Sequence, residues 1–199
     1  MRPTLLVIVS ILRSQSVALV APLKGYGVVI PQWEVEVSPA GPKAALNGTI
    51  EHVHEELVKL NPDWDATYLN DSLSTLQRRN VFGSSPGYFC RRRWGDALAS
   101  EIRIGIRYLR GVHGRPTNGP GWGTCSRVSC SWNSAIWWCN DNKEAKTLGS
   151  FGDIADGAQW VLDHCSKRQY EASNNIVTSG QVFHKDNWNV IVTKDTKAC

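Results

Sequence analysis

The apolar positions of this chain repeat in two periods. Trp33-Glu34-Val35-Glu36-Val37 alternates apolar and acidic residues between Pro31 and the Pro39/Gly41/Pro42 cluster, which predicts a short one-sided strand. Ile50, Val53, Leu57 and Leu60 then follow helical spacing, with Thr49 placed to cap, Glu51 in the first turn and Pro62 as the stop. From Asn80 onward the predicted order is α-β-β-α-β-β. Asp96 is placed to cap a helix that carries Leu98, Ile102, Ile106 and Leu109 on one face and ends at Gly111. Cys125 to Trp132 and Ile136 to Cys139 read as a hairpin joined near Asn133-Ser134-Ala135. Ser150 caps a second helix with Phe151, Ile154, Ala158, Val161, Leu162 and Cys165 turned inward. Gln181 to His184 and Trp188 to Thr193 form a last hairpin over Lys185-Asp186-Asn187. The fold class this order predicts is α+β, a small antiparallel sheet covered on one face by two helices in a disulfide-stabilised α/β sandwich.

Cysteine usage divides the chain. All six cysteines (Cys90, Cys125, Cys130, Cys139, Cys165 and Cys199) lie downstream of the dibasic step Arg78-Arg79. Cysteines in an oxidising compartment mark the part of a chain that needs covalent stapling, and dibasic steps are where processing proteases of the secretory pathway cut. The N-terminus agrees. Arg2 precedes the apolar run Leu5 to Leu12, Arg13 interrupts it, and Ser16-Val17-Ala18 offers small residues at the positions a signal peptidase reads. That run is too short to span a bilayer, which takes about 20 apolar residues, and Lys197-Ala198-Cys199 is no retention signal. The expected organisation is a signal peptide over 1–18, a cysteine-free pro-segment over 19–79 and a disulfide-bonded mature domain over 80–199. Such a product is secreted, extracellular and not transmembrane. All six cysteines are expected to pair. Cys130 is placed to face Cys139 across the hairpin, Cys165 to reach Cys125, and Cys90 with Cys199 to close the domain, although spacing alone does not choose among the possible pairings. Two glycosylation acceptors, Asn47 in Asn47-Gly48-Thr49 and Asn70 in Asn70-Asp71-Ser72, fall in the pro-segment, so their glycans are expected to leave with it.

Charge changes sign at the same step. Residues 19–79 hold five Lys/Arg and eight Asp/Glu, a net of −3, whereas 80–199 hold 15 and 10, a net of +5; Arg2 and Arg13 complete the chain's +4. A basic surface is attracted to polyanions such as cell-wall pectin or anionic lipid, and no lysine-rich run or phosphate-cradling motif specifies nucleic acid. Candidates for catalysis are few: His113, His184 with Asp186, and the Asp153/Asp156 pair at a helix start, where acidic residues also suit the helix dipole. No Gly-x-Ser-x-Gly or HExxH motif occurs, and no catalytic residue is assigned. His52, His54 and Glu55 read as a polar helix face, and His113 or His164 lies at poor zinc-ligand spacing from the cysteines; neither metal nor cofactor is expected. Arg103, Arg107 and Arg110 read as a solvated helix face.

A contact surface is better marked. The stretch Gly111 to Thr124 holds five glycines, two prolines, Arg115 and Trp122, and long irregular segments of that kind carry function or motion. Arg127 follows in the next strand. Adjacent Trp137 and Trp138 must point to opposite faces of theirs, which predicts one ring in the core and the other exposed. The candidate binding residues are therefore Arg115, Trp122, Arg127, Trp137 and Trp138.

The run Gly123 to Asn142 (GTCSRVSCSWNSAIWWCNDN), with Phe151 to Gln159 (FGDIADGAQ), Phe183 to Val192 (FHKDNWNVIV) and Asn47 to Glu51 (NGTIE), resembles a signature of small secreted proteins of ascomycete fungi. More loosely, the helix, the Gly-x-Cys strand and the Asp-Ile-x-Asp helix are similar to the fungal necrosis-inducing effector family and to processed killer toxins. Cys130 and Cys139 are additions to the necrosis-inducing pattern. The resemblance implies an α/β sandwich, acting outside the cell as a monomer on a host or competitor cell-surface protein, glycan or anionic lipid, by binding or membrane disturbance. A secreted hydrolase or nuclease and a non-catalytic cell-wall protein are the alternative classes.

Overall fold

The computed structural model describes residues 18–69, 80–84, 86–91, 93–119, 121–197 and 199. Residues 1–17 of the leader, Asn70, Arg78 and Arg79 lie outside the described residues.

Along the chain, strand β1 (Gly27–Val28) precedes the hairpin of β2 (Gln32–Glu36) and β3 (Lys43–Asn47), then helices α1 (Ile50–Leu60) and α2 (Trp64–Tyr68). Next come β4 (Tyr88–Cys90), β5 (Ala97–Leu98), α3 (Ala99–Gly111) and β6 (Thr117–Asn118). The long hairpin of β7 (Thr124–Ser131) and β8 (Ser134–Asn140) is followed by β9 (Lys146–Thr147), α4 (Phe151–Cys165) and β10 (Lys167–Arg168). The chain closes with β11 (Ile176–Thr178), β12 (Gly180–His184) and β13 (Trp188–Lys194). The main sheet has six strands in the order β1-β7-β8-β13-β12-β4, antiparallel except for the parallel β1–β7 pair. The fold is mixed α+β, with four helices and several sheets among the described residues and three disulfides.

Both faces of the sheet are covered. Trp138, Val190 and Val192 point into a core shared with Ile102, Ile106 and Leu109 of α3 and with Ile154, Ala158 and Val161 of α4. Glycines set the closeness of this contact. A Cβ on Gly105 would lie 2.3 Å from Ser129 Oγ, and one on Gly157 would lie 2.6 Å from Val190 Cγ2. The neighbouring residues Trp137 and Ile191 point the other way, into a second core with the Cys125–Cys139 disulfide, and that core is covered by Leu19, Ala21, Leu23, Tyr26, Val28 and Trp94. The cysteine-free segment thus lies on the sheet as an arm. Its remainder joins the helix-side core, where Trp33, Ile50, Val53 and Leu57 are fully buried.

Every cysteine is paired, as expected, but the connectivity is Cys90–Cys165, Cys125–Cys139 and Cys130–Cys199. None of the three pairings read from the hairpin spacing occurs. The short turn sets Cys130 opposite Ala135, and a bulge between Arg127 and Ser129 then slips the register of β7 by one residue and brings Cys125 opposite Cys139. The hairpin turn is Trp132-Asn133, both with positive φ (46° and 58°), one residue earlier than expected. Asp96 does not cap α3, whose N-cap is Leu98; its carboxylate instead accepts from Ser179 Oγ at 2.8 Å and pairs with Lys167. The asparagines of the Cys139-Asn140-Asp141-Asn142 run are structural. Asn140 donates to the carbonyls of Asn118 and Glu144, and Asn142 to those of Asp186 and Asn187, binding three loops to one sheet end.

Candidate binding site

A cleft opens where α3 ends. Val112 is the C-cap, and the chain leaves through His113, Gly114 and Arg115. Gly114 has φ 151°, and a Cβ there would lie 3.0 Å from the Glu34 carbonyl oxygen and 3.1 Å from the Phe151 ring, so the loop passes between β2 and α4 only as glycine. The β6–β9 pair then ties the loop to the segment entering α4. Leu148 N–H donates to the Pro116 carbonyl at 3.0 Å, and Arg115 Nε donates to the Leu148 carbonyl at 3.4 Å. The resulting cleft of about 340 Å³ is lined chiefly by Arg110, His113, Arg115, Ser150, Gly152 and Asp156.

Its charges are arranged unevenly. Ser150 and Asp153 form a capping box at the start of α4: the Ser150 hydroxyl donates to Asp153 at 2.9 Å, and the amides of Gly149 and Ser150 donate to Asp153 at 2.9 and 3.2 Å. Asp153 is therefore engaged by the helix start. Arg110 and Asp156 form an ion pair at 3.1 Å with side chains only 13% and 10% exposed, and Asp156 also accepts from the Val81 amide. Arg115 differs from both. It is exposed and makes no ion pair among the described residues. His113, also exposed, sets Nδ1 3.7 Å from Glu36 and meets the Tyr68 ring edge-on at 5.3 Å. Burial, and secondarily the Glu36 charge, push the Tyr68 phenol above its ordinary value.

A guanidinium without a carboxylate partner, an ionisable imidazole and the mouth of a capped helix can hold an anionic group by charge-assisted hydrogen bonds. Within the cleft the Ser150 hydroxyl donates to Asp153 and His113 faces Glu36, and no hydrogen bond joins Ser150 to His113 among the described residues. His184 and Asp186 lie apart from it in the turn of the last hairpin. There His184 Nε2 meets the Val81 carbonyl at 3.1 Å and the ring stacks on Trp188 at 4.6 Å. His54 pairs with Asp65 at 2.6 Å and stacks on Tyr108, and no group of three or more potential metal ligands occurs among the described residues.

Of the five candidate binding residues only Arg115 lines this cleft, and of the residues weighed for catalysis His113 and Asp156 line it too. Trp122 is 75% exposed, in a left-handed conformation (φ 35°) at the foot of the long hairpin, with its amide donated to the Asn142 carbonyl. Trp137 and Trp138 do point to opposite faces, but both are buried, because the arm and Trp94 cover the face expected to be open. Arg127 is buried too. It pairs with Asp195 at 3.2 Å, donates to the Lys197 carbonyl and lies over the Trp137 ring, so it clamps the C-terminal tail and offers no contact surface. Three features went unread. Arg110 is not on a solvated face, and its position four residues after Ile106 was a legible sign that it belongs to the apolar stripe. Glu36 of the cysteine-free segment meets His113 at the cleft. Trp132, 77% exposed, was read as the end of a strand and stands instead in the hairpin turn.

Comparisons with family models, with curated proteins and with solved structures return no match for this chain. No helix of the described residues is long and apolar enough to cross a membrane.

Proposed function

We propose that this chain is a secreted effector- or toxin-like protein that acts outside the cell by binding an anionic component of a host or competitor surface. In this reading residues 1–18 direct export, the chain is matured by a cut at Arg78-Arg79, and the sheet with its helices serves as a rigid α/β sandwich. The observation that carries the reading is Arg115: an exposed guanidinium with no ion pair among the described residues, on the rim of a cleft with His113 beside it. Three disulfides support an extracellular setting, since such bonds persist in oxidising compartments. Trp122 stands ready as a stacking surface at the end of the same loop. Titration of the purified protein with polygalacturonate and with phosphatidylserine vesicles, beside neutral glucan and phosphatidylcholine controls, tests this. Arg115→Ala is expected to weaken binding to the preferred anion about tenfold, the scale of one lost charge-assisted contact, with an unchanged melting temperature. Equal binding by parent and variant, or no preference for anions, refutes the assignment.

A further inference from the structure

The cysteine-free segment has the sequence marks of a disposable pro-piece, yet its side chains are placed as those of a permanent part. It holds the sheet from both sides. On one face the arm from Leu19 to Val28 covers Trp137, Ile191 and the Cys125–Cys139 disulfide, β1 pairs with β7, and the Tyr26 hydroxyl donates to Asp141 at 2.9 Å. On the other, Trp33 stacks on Phe151 at a centroid distance of 4.4 Å, and Ile50, Val53, Leu57 and Trp64 fill the core shared with α3. Beyond the two residues paired with β1, the outer edge of β7 has no neighbouring strand among the described residues. There Glu51 of α1 accepts from Ser129 Oγ and, at 2.9 Å, from the Cys130 amide. An edge amide and a buried hydroxyl would lose their partners if this segment left.

The flanks of the dibasic step are fixed as well. Leu69 is 1% exposed. On the far side, Asn80 Nδ2 donates to the Asp156 carbonyl at 3.1 Å, the Val81 amide to the Asp156 carboxylate at 3.3 Å, and Phe82 is buried against Trp188. All three disulfides lie within 90–199, so nothing covalent would tie the two pieces after a cut.

We propose that residues 19–69 remain bound after processing, so that a cut at Arg78-Arg79 yields a non-covalent two-chain protein and not a free domain beginning at Asn80. Three consequences distinguish this from disposal. The Asn47 glycan stays on the finished particle, exposed at the end of β3. The acidic segment keeps offsetting the basic one. Glu36 stays against His113, which lines the cleft, and Trp33 stays stacked on Phe151.

The test uses the secreted full chain, cut under native conditions with a dibasic-specific endoprotease. A second version carries the recognition sequence of a site-specific protease in place of residues 74–79, so that the cut does not depend on the native step. Denaturing electrophoresis without reductant should show two chains. Size exclusion at low micromolar concentration, followed by native mass spectrometry, should show one particle with the summed mass. Two separately eluting species, or a particle with the mass of 80–199 alone, overturn the proposal, whichever protease makes the cut.

Discussion

Replacing Glu51 by alanine removes the acceptor that joins α1 to the unpaired part of β7. Its two carboxylate oxygens serve the Ser129 hydroxyl and the Cys130 amide, in a place where Ser129 is 1% and Cys130 9% exposed. Water therefore does not replace the lost acceptor without rearrangement. Hydrogen bonds to a charged group contribute about 1.5–3 kcal/mol each; part of that is offset because the variant no longer desolvates a carboxylate, which leaves a net loss of about 2–3 kcal/mol. With a urea m-value of about 2 kcal/mol/M for a chain of this size, the midpoint should fall by about 1–1.5 M. Glu51→Gln keeps the shape and one acceptor oxygen, and should fall by about half as much. Glu34→Ala is the control: Glu34 pairs with Lys43 across the exposed side of the β2–β3 hairpin, and its midpoint should not move measurably. Tryptophan fluorescence and far-ultraviolet circular dichroism followed through the same titration give the midpoints. A loss below about 0.5 kcal/mol for Glu51→Ala would show that α1 does not hold β7 and would sink the reasoning on which permanent attachment rests.

Other expectations can be checked together. Gly105→Ala adds a helix-favouring residue worth about 1 kcal/mol, but its Cβ meets Ser129 Oγ at 2.3 Å and Ile136 Cδ1 at 3.2 Å. Overpacking should win, with a net loss of about 1–2 kcal/mol in thermal unfolding; a stabilised variant contradicts the close α3–β7 contact. Peptide mapping without reduction should recover the linkages Cys90–Cys165, Cys125–Cys139 and Cys130–Cys199, and a Cys130–Cys139 peptide contradicts the bulged register. Opening Cys90–Cys165, which closes a separation of 75 residues, should cost more than opening Cys125–Cys139 across 14, about 4.5 against 3 kcal/mol in the chain-entropy description. Burial first, and the hydrogen bond to Asp141 second, push the Tyr26 phenol up to about 12 from 10.0. The folded state then holds this proton more tightly than the unfolded one. The stabilisation is complete below pH 10 and is lost as pH rises toward 12; after discounting for solvent screening it is about 1 kcal/mol. Tyr26→Phe should flatten that part of the stability–pH curve, and an unchanged slope contradicts the Tyr26–Asp141 contact.

Of the elements from Asn80 onward, the two helices and the two long hairpins were legible because each carries its own period, whereas the short strands β4, β5, β6, β9, β10 and β11 were not read. The apolar stripe from Ile102 to Leu109, the Ser150 start and the last hairpin stand where the pattern puts them, and the first hairpin turns one residue earlier. The amphipathic helix after Thr49 was equally plain. Pairing between elements was not. A one-residue bulge in β7 decides which cysteines meet, and no composition signal marks it. Trp137 and Trp138 illustrate the same limit: alternation fixes that they diverge, but only the arm from Leu19 to Val28 decides that neither is exposed. Cysteine and charge asymmetry carried the expectations about compartment and processing, and they say nothing about which apolar surfaces meet. The inward residues of β2 and α1 were each visible as one-sided patterns, while their partners on α3, α4 and β7 lie far along the chain. Of the cleft, Arg115 and His113 were legible from their glycine-rich loop, and Arg110 from its place on the apolar stripe; its pairing with Asp156, and that of His113 with Glu36, come only from tertiary packing.

Native-state hydrogen exchange on the intact chain tests most directly whether residues 19–69 and 80–199 are one folded body. The amides of Val53 and Leu57 in α1 and of Trp33 in β2 should exchange only through the same global opening as Trp138 in β8 and Val190 in β13, with opening free energies equal within about 0.5 kcal/mol. If α1 and β2 instead open several kcal/mol more easily than the central strands, the segment is a detachable cover and permanent attachment is contradicted.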